Sequence, residues 1–358
     1  MSLLSEPFVL RGVSFRNRAW TSPMCQYSAD GGLPNDWHLV HLGSRAVGGA
    51  GLVMAEATAV SPEGRISPGD TGLWSERHAE AFAPIIDFVG RQGAVAGIQL
   101  GHAGRKASAE RPWDGGGPLR AEAAWETVGP SEVPFGDFPA PRTMSDADLE
   151  KVELDFVRSA RLAVECGFEV VELHMAHGYL LHSFLSPLAN RRSDALGGDL
   201  AGRSRFPLQV ARAVREVLPD RMPLFVRLSC TDWADERGGF NLEEAVEVSA
   251  MLRQQGADLV DCSSGGMIPD AEIPVGPGYQ VPLAHRVREG AEVPTAAVGM
   301  LHDPATAEAA LASGAADAVF VARGMLADPY WARHALKRLG DKVEGPVQYG
   351  RAQGVLLD

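Results

Sequence analysis

The stretch that decides the fold is Phe168-Glu-Val-Val-Glu-Leu-His-Met-Ala-His-Gly-Tyr179, in which an apolar run gives way to polar residues and a glycine. The apolar run predicts a strand over residues 169–174, and a short segment typical of a helix follows it. Because side chains alternate between the faces of a strand, Glu172 and His174 are expected to point the same way. The stretch therefore predicts a strand that ends in a polar loop before a helix.

The loop after this strand holds three side chains that can act together. His177 would lie on the wrong face if the strand continued, but Gly178 allows a bend that brings His174, His177 and Tyr179 into one pocket. Two imidazoles offer N–H donors to a carbonyl oxygen and a phenol offers a proton, so the group indicates a site that polarises and protonates. Two alternatives remain from these residues alone: hydrogen-bonded structural side chains, or a metal site of the His-x-x-His type.

Composition limits the class of protein. The chain has 358 residues, 45% of them hydrophobic, and a formal net charge of −13, which disfavours binding to nucleic acid or to anionic membranes. Its four cysteines form no C-x-x-C pair, so neither a disulfide framework nor a zinc ribbon is indicated. We find no signal-peptide pattern and no apolar run of about 18 residues, and we expect a cytoplasmic protein.

Strand-like runs recur along the whole chain, with helical segments such as 156–166 and 242–255 between them. The eight predicted strands cover residues 19–23, 51–57, 95–100, 169–174, 224–228, 257–262, 294–298 and 316–321. Eight alternating copies predict an α/β fold, a (β/α)8 TIM barrel, as one domain over residues 1–358. A doubly wound open sheet is the alternative, although no G-x-G-x-x-G follows the first strand.

Two long connections follow the third and sixth predicted strands. Residues 103–145 and 265–282 are rich in Pro and Gly, and both leave the C-terminal face, where barrel enzymes keep their sites. Long loops in compact domains are usually functional or disordered. We expect the first to be a capping insertion and both to wall the pocket, with plain surface loops as the alternative.

Polar and small residues collect at the C-terminal ends of the strands. Gly299 and Ala322-Arg323 follow the seventh and eighth strands, the usual phosphate-binding place in a barrel. Gln99 can offer a donor and an acceptor to the edge of a flat heterocycle. Arg227 inside the barrel needs an anion, and an internal ion pair with Glu172 is the structural alternative.

With these residues assembled, the chain resembles the old yellow enzyme family of flavin-dependent ene-reductases, and most of all its thermophilic-like branch, which includes bacterial xenobiotic reductases. The resemblance runs from Pro7 to the tail. Its strongest segments are Ser22-Pro-Met-Cys-Gln-Tyr, His41-Leu-Gly-Ser-Arg-Ala, Glu56-Ala-Thr-Ala-Val, Gly97-Ile-Gln-Leu-Gly-His-Ala-Gly-Arg-Lys, His174-Met-Ala-His-Gly-Tyr and Asp261-Cys-Ser-Ser-Gly.

The resemblance implies a bound flavin mononucleotide, FMN. The residues that match its binding site are Ser22, Pro23, Met24, Cys25, Ala57, Gln99, Arg227, Ala322 and Arg323. Relatives commonly have Gly-Arg at the phosphate loop, where this chain has Ala322-Arg323, and the backbone N–H survives that change. Cys25 matches a cysteine that lies against the flavin and tunes its potential.

The resemblance also implies an activity. NADPH, or NADH, reduces the flavin, and an activated alkene such as an α,β-unsaturated carbonyl, a maleimide or a nitroalkene is then reduced at its C=C bond. His174 and His177 match the residues that bond the substrate oxygen, and Tyr179 matches the proton donor to the α-carbon. Arg227 would stabilise the anionic reduced flavin. Tyr27 is expected to line the substrate pocket.

The tail, residues 340–358, resembles a segment that reaches the active site of a neighbouring subunit, which makes Arg351 a candidate substrate contact in a homodimer or homotetramer. A frayed terminus is the alternative. The iron–sulfur branch of the family needs a cysteine cluster after the barrel, and no cysteine follows Cys262. A metal-dependent barrel hydrolase and a non-catalytic flavin-binding redox sensor are the remaining rivals.

Overall fold

Twelve short strands occur in residues 1–352, the part of the chain that the computed structural model describes. In chain order they are β1 Phe8–Leu10, β2 Val13–Phe15, β3 Ala19–Thr21, β4 Leu52–Ala59, β5 Val95–Gly101, β6 Val128–Gly129, β7 Arg142–Thr143, β8 Val170–Met175, β9 Leu224–Ser229, β10 Leu259–Ser263, β11 Thr295–Ala297 and β12 Ala318–Val321. Eight of them close into a parallel barrel in the order β3-β4-β5-β8-β9-β10-β11-β12. The closed sheet confirms the predicted barrel and excludes the doubly wound alternative.

Helices surround the barrel and connect its strands. They are α1 Asp36–Val47, α2 Glu76–Arg91, α3 Asp146–Glu165, α4 Leu180–Leu185, α5 Leu200–Val217, α6 Leu242–Gln254, α7 Val281–Ala291, α8 Pro304–Ala312, α9 Arg323–Ala327 and α10 Trp331–Arg338. The α3 helix begins ten residues before the predicted segment 156–166, because Ser145 and Asp148 form a reciprocal capping box at its start. None of the helices described in residues 1–352 is long and apolar enough to cross a membrane.

The β8 strand shows how the alternation of side chains divides the core. Leu173 and Met175 belong to the apolar layer between the barrel and the helices. Glu172 points into the barrel, where its carboxylate accepts a hydrogen bond from the Gln99 side chain of the neighbouring strand. The predicted faces of this strand are therefore the observed ones.

The N-terminal end of the barrel interior is filled with apolar side chains. Trp20 stacks on Phe225 with 5.7 Å between ring centroids, and Phe320 contacts Trp20 edge to face at 5.4 Å. The hairpin β1–β2 adds Phe15, whose ring lies 4.7 Å from that of Trp20. Because these apolar side chains fill the N-terminal end of the barrel, only the C-terminal half of the interior remains for polar groups.

Both long connections emerge at the C-terminal end. The connection between β5 and α3 contains two short 3-10 helices, Gly104–Lys106 and Pro112–Asp114, and the two-residue pair β6–β7. The connection between β10 and α7 is largely irregular. The last described element is the 3-10 helix Val347–Ala352, so the final six residues of the predicted tail segment, 353–358, lie outside the described part of the chain.

Candidate active site

Every barrel strand sends polar or small residues to one end of the barrel. Taken around the closed sheet, the residues at or just after the strand ends are Ser22 to Cys25 (β3), Ala57 (β4), Gln99 (β5), His174 (β8), Arg227 (β9), Ser263 (β10), Gly299 (β11) and Ala322-Arg323 (β12). The Arg227 guanidinium donates to the Ser22 hydroxyl at 3.2 Å although the two residues are 205 positions apart. The structure thus brings this part of the predicted set together.

The loop after β8 makes the bend that Gly178 predicts. His177 and Gly178 both adopt left-handed backbone conformations, with φ of 59° and 75°. The rings of His174 and His177 then lie edge to face with centroids 5.1 Å apart, and those of His174 and Tyr179 at 4.9 Å. The structure places the three predicted catalytic side chains in one group.

Hydrogen bonds orient the two imidazoles. The backbone N–H of Ala176 donates to His174 Nδ1 at 3.2 Å, so the ring proton of His174 is on Nε2. That Nε2 lies 3.4 Å from His177 Nδ1, while His177 Nε2 lies 2.8 Å from the Ser263 hydroxyl. When Ser263 donates, His177 carries its proton on Nδ1, and two N–H groups converge on one point.

Burial fixes the protonation states of these residues at neutral pH. Burial lowers the pKa of His174 and of His177 well below the usual range, and the charges of Arg227 and Lys106 lower both further. Burial also raises the pKa of Tyr179 well above its ordinary value. The site therefore presents neutral imidazoles that donate N–H bonds and a phenol that keeps its proton.

A buried histidine, His182, holds the bend at Gly178 through a hydrogen bond. The backbone N–H of Gly178 donates to His182 Nδ1 at 2.9 Å, and His182 Nε2 lies 3.1 Å from a carboxylate oxygen of Asp232. The other Asp232 oxygen accepts from the Ser186 hydroxyl and from the backbone N–H of Phe240. This network holds the loop that carries His177.

Arg227 has a different acidic partner from the one considered in the sequence. Its Nε lies 3.2 Å from a carboxylate oxygen of Asp261 on the adjacent strand β10, and both side chains are buried. Glu172, the alternative partner considered in the sequence, is held by Gln99 instead. The side-chain amide of Gln99 donates a hydrogen bond to Glu172 Oε1 at 2.7 Å. Parallel register explains the choice, because Asp261 sits directly opposite Arg227.

Two buried carboxyl groups lie near the Arg227 guanidinium, and Asp261 is the one that pairs with it. Burial, followed by the Asp261 carboxylate, raises the pKa of Glu172, and burial raises that of Asp261. In residues 1–352, one oxygen of Glu172 and one of Asp261 find neither a hydrogen bond nor an ion pair. The chamber beneath the site is consequently polar and only partly neutralised.

The turn after β3 carries Cys25 and Tyr27. Tyr27 has a positive φ of 50°, and the turn is held by the Gln26 backbone N–H, which donates to Glu56 Oε2 at 2.8 Å. Burial, and then the carboxylates of Glu56 and Asp70, raise the pKa of the Cys25 thiol well above its usual range. Cys25 is therefore held as a neutral thiol and not as a reactive thiolate.

Tyr27 also contacts the long connection after β5. Its ring lies edge to face with Trp113 at 5.9 Å between centroids, and Trp113 is 62% exposed. An aromatic side chain from the predicted capping insertion therefore reaches the residue that was predicted to line the substrate pocket.

A cavity of about 150 Å³ lies between the ends of β11 and β12. Gly299, Ala322 and Arg323, the three residues predicted for phosphate binding, all line it. Gly299 has φ of 122°, and a Cβ there would come within 3.0 Å of the Gln280 amide. The absence of a side chain at Gly299 keeps this cavity open next to a guanidinium, which suits a phosphate group.

Arg351 stands apart from these residues. It is exposed in the 3-10 helix Val347–Ala352, and within residues 1–352 no described contact joins it to the histidine pair. The same helix meets α10 through the hydroxyls of Tyr349 and Tyr330, which are 3.4 Å apart. The predicted role of Arg351 as a substrate contact therefore stays a prediction.

Sequence reasoning missed several residues of the site: Lys106, His182, Asp232, Asp261 and Ser263. For Asp261 a signal was available, because a charged residue in the middle of an apolar strand needs a buried partner. Lys106 and Ser263 lie in segments that match the family, but the sequence does not give their contacts, which are with loops distant in the chain.

Comparisons with known proteins show the family of this chain. The model of the NADH:flavin oxidoreductase / NADH oxidase family matches residues 3–342. The chain belongs to this family. It is 43% identical to an NADPH dehydrogenase of Geobacillus thermodenitrificans, with 98% of both chains covered, and 41% identical to one of Bacillus subtilis over 97% of this chain and 98% of the relative.

Solved structures of family members share the fold. Morphinone reductase matches with a TM-score of 0.78 and 25% identity, covering 96% of this chain and 91% of its own. A 2-naphthoyl-CoA reductase complex matches with a TM-score of 0.84 and 26% identity, covering 94% of this chain, which spans only 52% of that longer protein. The resemblance to the old yellow enzymes is confirmed, and the protein is an FMN-dependent NAD(P)H oxidoreductase.

The residues present fit FMN. Gln99 can pair with the edge of a flavin ring, Arg227 offers positive charge beside it, and Arg323 lines the cavity beside Gly299. Ser22 lies between these groups at the end of β3, where its hydroxyl already accepts from Arg227. All of these residues lie at or near the C-terminal ends of the barrel strands.

Proposed function

We propose that this enzyme is an ene-reductase that reduces the C=C bond of activated alkenes, namely α,β-unsaturated carbonyl compounds, maleimides and nitroalkenes. The observation that supports this most is the convergence of His174, His177 and Tyr179, with both imidazoles neutral and the phenol protonated. Two N–H donors and one proton donor are what conjugate reduction of such an alkene requires.

The two histidines act on the oxygen of the substrate. His174 Nε2–H and His177 Nδ1–H donate to the carbonyl or nitro oxygen and stabilise the negative charge that develops there. Bound FMN supplies the hydride, taken from NADPH or NADH, that the β-carbon accepts. Neutral imidazoles suit this role because they need not lose their protons as the charge develops.

Tyr179 supplies the proton for the α-carbon. Its raised pKa keeps the phenol protonated across the physiological range, and an enolate is basic enough to take that proton. Tyr27 and Trp113 lie at the approach to the site and contact each other edge to face. We assign them to substrate contact, and residues 103–145 to a cap over the pocket.

We further propose a homodimer or homotetramer in the cytoplasm, where NADPH is available. Helix α1 leaves Trp37 and Val40 exposed, α9 leaves Leu326 exposed, and the tail leaves Val347 and Tyr349 exposed. Exposed large apolar side chains are common at subunit interfaces. A second copy would cover them, and residues 340–358 would then bring Arg351 to the substrate of the neighbouring subunit.

An anaerobic absorbance titration tests the reaction. NADPH is added to the FMN-loaded protein until the flavin band bleaches, and 2-cyclohexenone is then added. We expect rapid return of the band together with loss of the enone. Bleaching without return would reject enone reduction and direct the search to another electron acceptor.

Tyr179→Phe tests the proton donor. We expect the reduction of 2-cyclohexenone to slow by about 10²–10⁴-fold, because the ring stays in place without its proton. Flavin reduction by NADPH needs no proton from the phenol and is expected to keep its rate in the same variant. Stopped-flow absorbance measures both steps. Full turnover of the variant would mean that the α-carbon takes its proton from a group other than Tyr179.

A further inference from the structure

Lys106 occupies a position next to the site that the reaction described so far does not use. It ends the 3-10 helix Gly104–Lys106 that follows β5, and its side chain is largely buried. The ammonium donates to the backbone carbonyl of His177 at 2.8 Å and to that of Gly266 at 3.1 Å. One cation thereby joins the loops that follow β5, β8 and β10.

The two loops that Lys106 bridges approach each other through their backbones. A Cβ at Gly178 would collide with the carbonyl oxygen of Gly266, and a Cβ at Gly266 would come within 2.6 Å of His177 Cα. His177 and Gly266 both have positive φ, at 59° and 85°. A compact ammonium with three donors can satisfy the carbonyl oxygens of two such turns at once.

The remaining side of the ammonium faces aromatic rings. Lys106 Nζ lies 4.2 Å from the ring centroid of Phe135, in the connection between β5 and α3, and 5.2 Å from that of Tyr179. Both distances are within the range of a cation–π contact. The charge is therefore held against the proton donor and covered by the long connection.

The charge of Lys106 also acts on the histidine pair. It is one of several positive or titratable groups facing His174 and His177: Arg227 comes from β9 and His182 from α4, and the two imidazoles face each other. Each of these groups disfavours protonation of the pair. Burial, with a smaller effect of Arg105, lowers the pKa of Lys106 itself to about 7.

We propose that Lys106 is a positioning residue for alkene reduction, which locks the His177–Gly178 bend against Gly266 and whose charge adds to burial in keeping His174 and His177 in the neutral, N–H-donating form. This inference rests on the proposed function. Only four of the 33 basic side chains are lysines, so Lys106, which contacts the loops after β8 and β10, differs in type from most of the chain's positive charges. Lysine, unlike arginine, can lose its charge near neutral pH.

Two substitutions of Lys106 distinguish the effect of its positive charge from the effect of its hydrogen bonds. Lys106→Gln removes the charge and keeps an N–H donor for the carbonyls, whereas Lys106→Met removes both. Lys342→Gln, at an exposed lysine of the tail, is the matched control for the loss of one positive charge. If Lys106→Met does not fold, Lys106→Gln still tests the effect of the charge.

The pH profile of the alkene half-reaction is the first readout, measured with FMN-loaded enzyme and 2-cyclohexenone. We expect the acidic limb of Lys106→Gln to move upward by about one pH unit, the size that a like charge nearby produces. Above about pH 7 the two rates are expected to converge, because Lys106 loses its charge there. Lys106→Met is expected to be slow at every pH.

Histidine NMR is the second readout and does not depend on turnover. In ¹⁵N-histidine-labelled FMN-loaded protein, we expect His177 to titrate at higher pH in Lys106→Gln than in the wild type or in Lys342→Gln, with His177→Asn to assign the signal. An unshifted His177 with an unshifted acidic limb would overturn the proposal. If the wild type reduces no alkene, the proposed function fails, while the NMR titration still decides whether Lys106 controls the imidazoles.

Discussion

At the scale of single residues, the Ser263 hydroxyl favours the Nδ1–H tautomer of His177 when it donates to Nε2. This hydroxyl lies 2.8 Å from His177 Nε2 and is the only described side-chain contact on that nitrogen in residues 1–352. Ser263→Ala is expected to lower kcat/KM for 2-cyclohexenone about tenfold, because an unsatisfied buried ring nitrogen costs roughly 1–3 kcal/mol and no longer favours the Nδ1–H tautomer.

Steady-state kinetics check this prediction, with Ser313→Ala as the control. Ser313 is exposed, and its hydroxyl only donates to the Ala310 carbonyl of its own helix. An unchanged kcat/KM in Ser263→Ala would mean that His177 keeps its tautomer without help from β10.

Glu172 makes the stability of the FMN-free chain depend on pH. Burial, then Asp261, raises its pKa, so the folded protein keeps a proton that the unfolded chain releases above about pH 4.3. Because the folded state then binds more protons, the free energy of unfolding falls as pH rises through this window toward the raised pKa. The slope contributed by one such group is at most about 1.4 kcal/mol per pH unit.

Urea unfolding between pH 5 and pH 8 measures this slope. Glu172→Gln is expected to show a shallower decline than the wild type, because the amide does not titrate. Glu122→Gln, at an exposed glutamate of the long connection, is expected to keep the wild-type slope. Equal slopes in all three proteins would mean that the pH dependence of stability comes from a group other than Glu172.

At the scale of elements, the close approach of the β8 and β10 loops depends on Gly178. Gly178→Ala is expected to lower both stability and alkene reduction, because its Cβ would collide with the Gly266 carbonyl and its φ of 75° is strained for alanine. Relief of the collision would separate His177 from Lys106. We expect a loss of unfolding free energy of about 2 kcal/mol or more.

Gly314→Ala is the matched control, because it measures the cost of a positive φ for alanine without a steric collision. Gly314 has nearly the same φ, 72°, and an added Cβ there meets no atom within 4 Å. Thermal unfolding of the two variants should therefore differ by the cost of the collision. If both lose the same stability, the two loops tolerate separation and the bend is less constrained than the structure indicates.

At the scale of the whole molecule, the proposed role of Arg351 across an interface can be tested by mixing two defective proteins. In a mixed dimer of Tyr179→Phe and Arg351→Ala subunits, one of the two sites combines an intact Tyr179 with an intact Arg351 from its neighbour. We expect the mixture, after subunit exchange, to reduce 2-cyclohexenone faster than the mean of the two parent proteins. Activity equal to that mean would place Arg351 in its own subunit or outside the site.

Much of this molecule follows from patterns that are local in the chain. The alternation of apolar residues around Glu172 and His174 predicts a strand with one polar inward face, and eight such runs separated by helices predict the barrel. In a parallel barrel all strand ends meet at one rim, so the gathering of Gln99, His174 and Arg227 also follows from their positions at strand ends. Gly178 predicts the bend, because few residues other than glycine readily adopt a positive φ.

The partners inside that rim were decided by the tertiary structure alone. Arg227 had two carboxylates within possible reach, and only the register between β9 and β10 selects Asp261 over Glu172. Lys106 reaches the carbonyl of His177, 71 residues away, because three loops pack backbone against backbone. Such contacts form only when segments distant in the chain are placed relative to each other to within a few tenths of an ångström. The sequence by itself determines only periodicity, chain direction and the residue types available at each strand end.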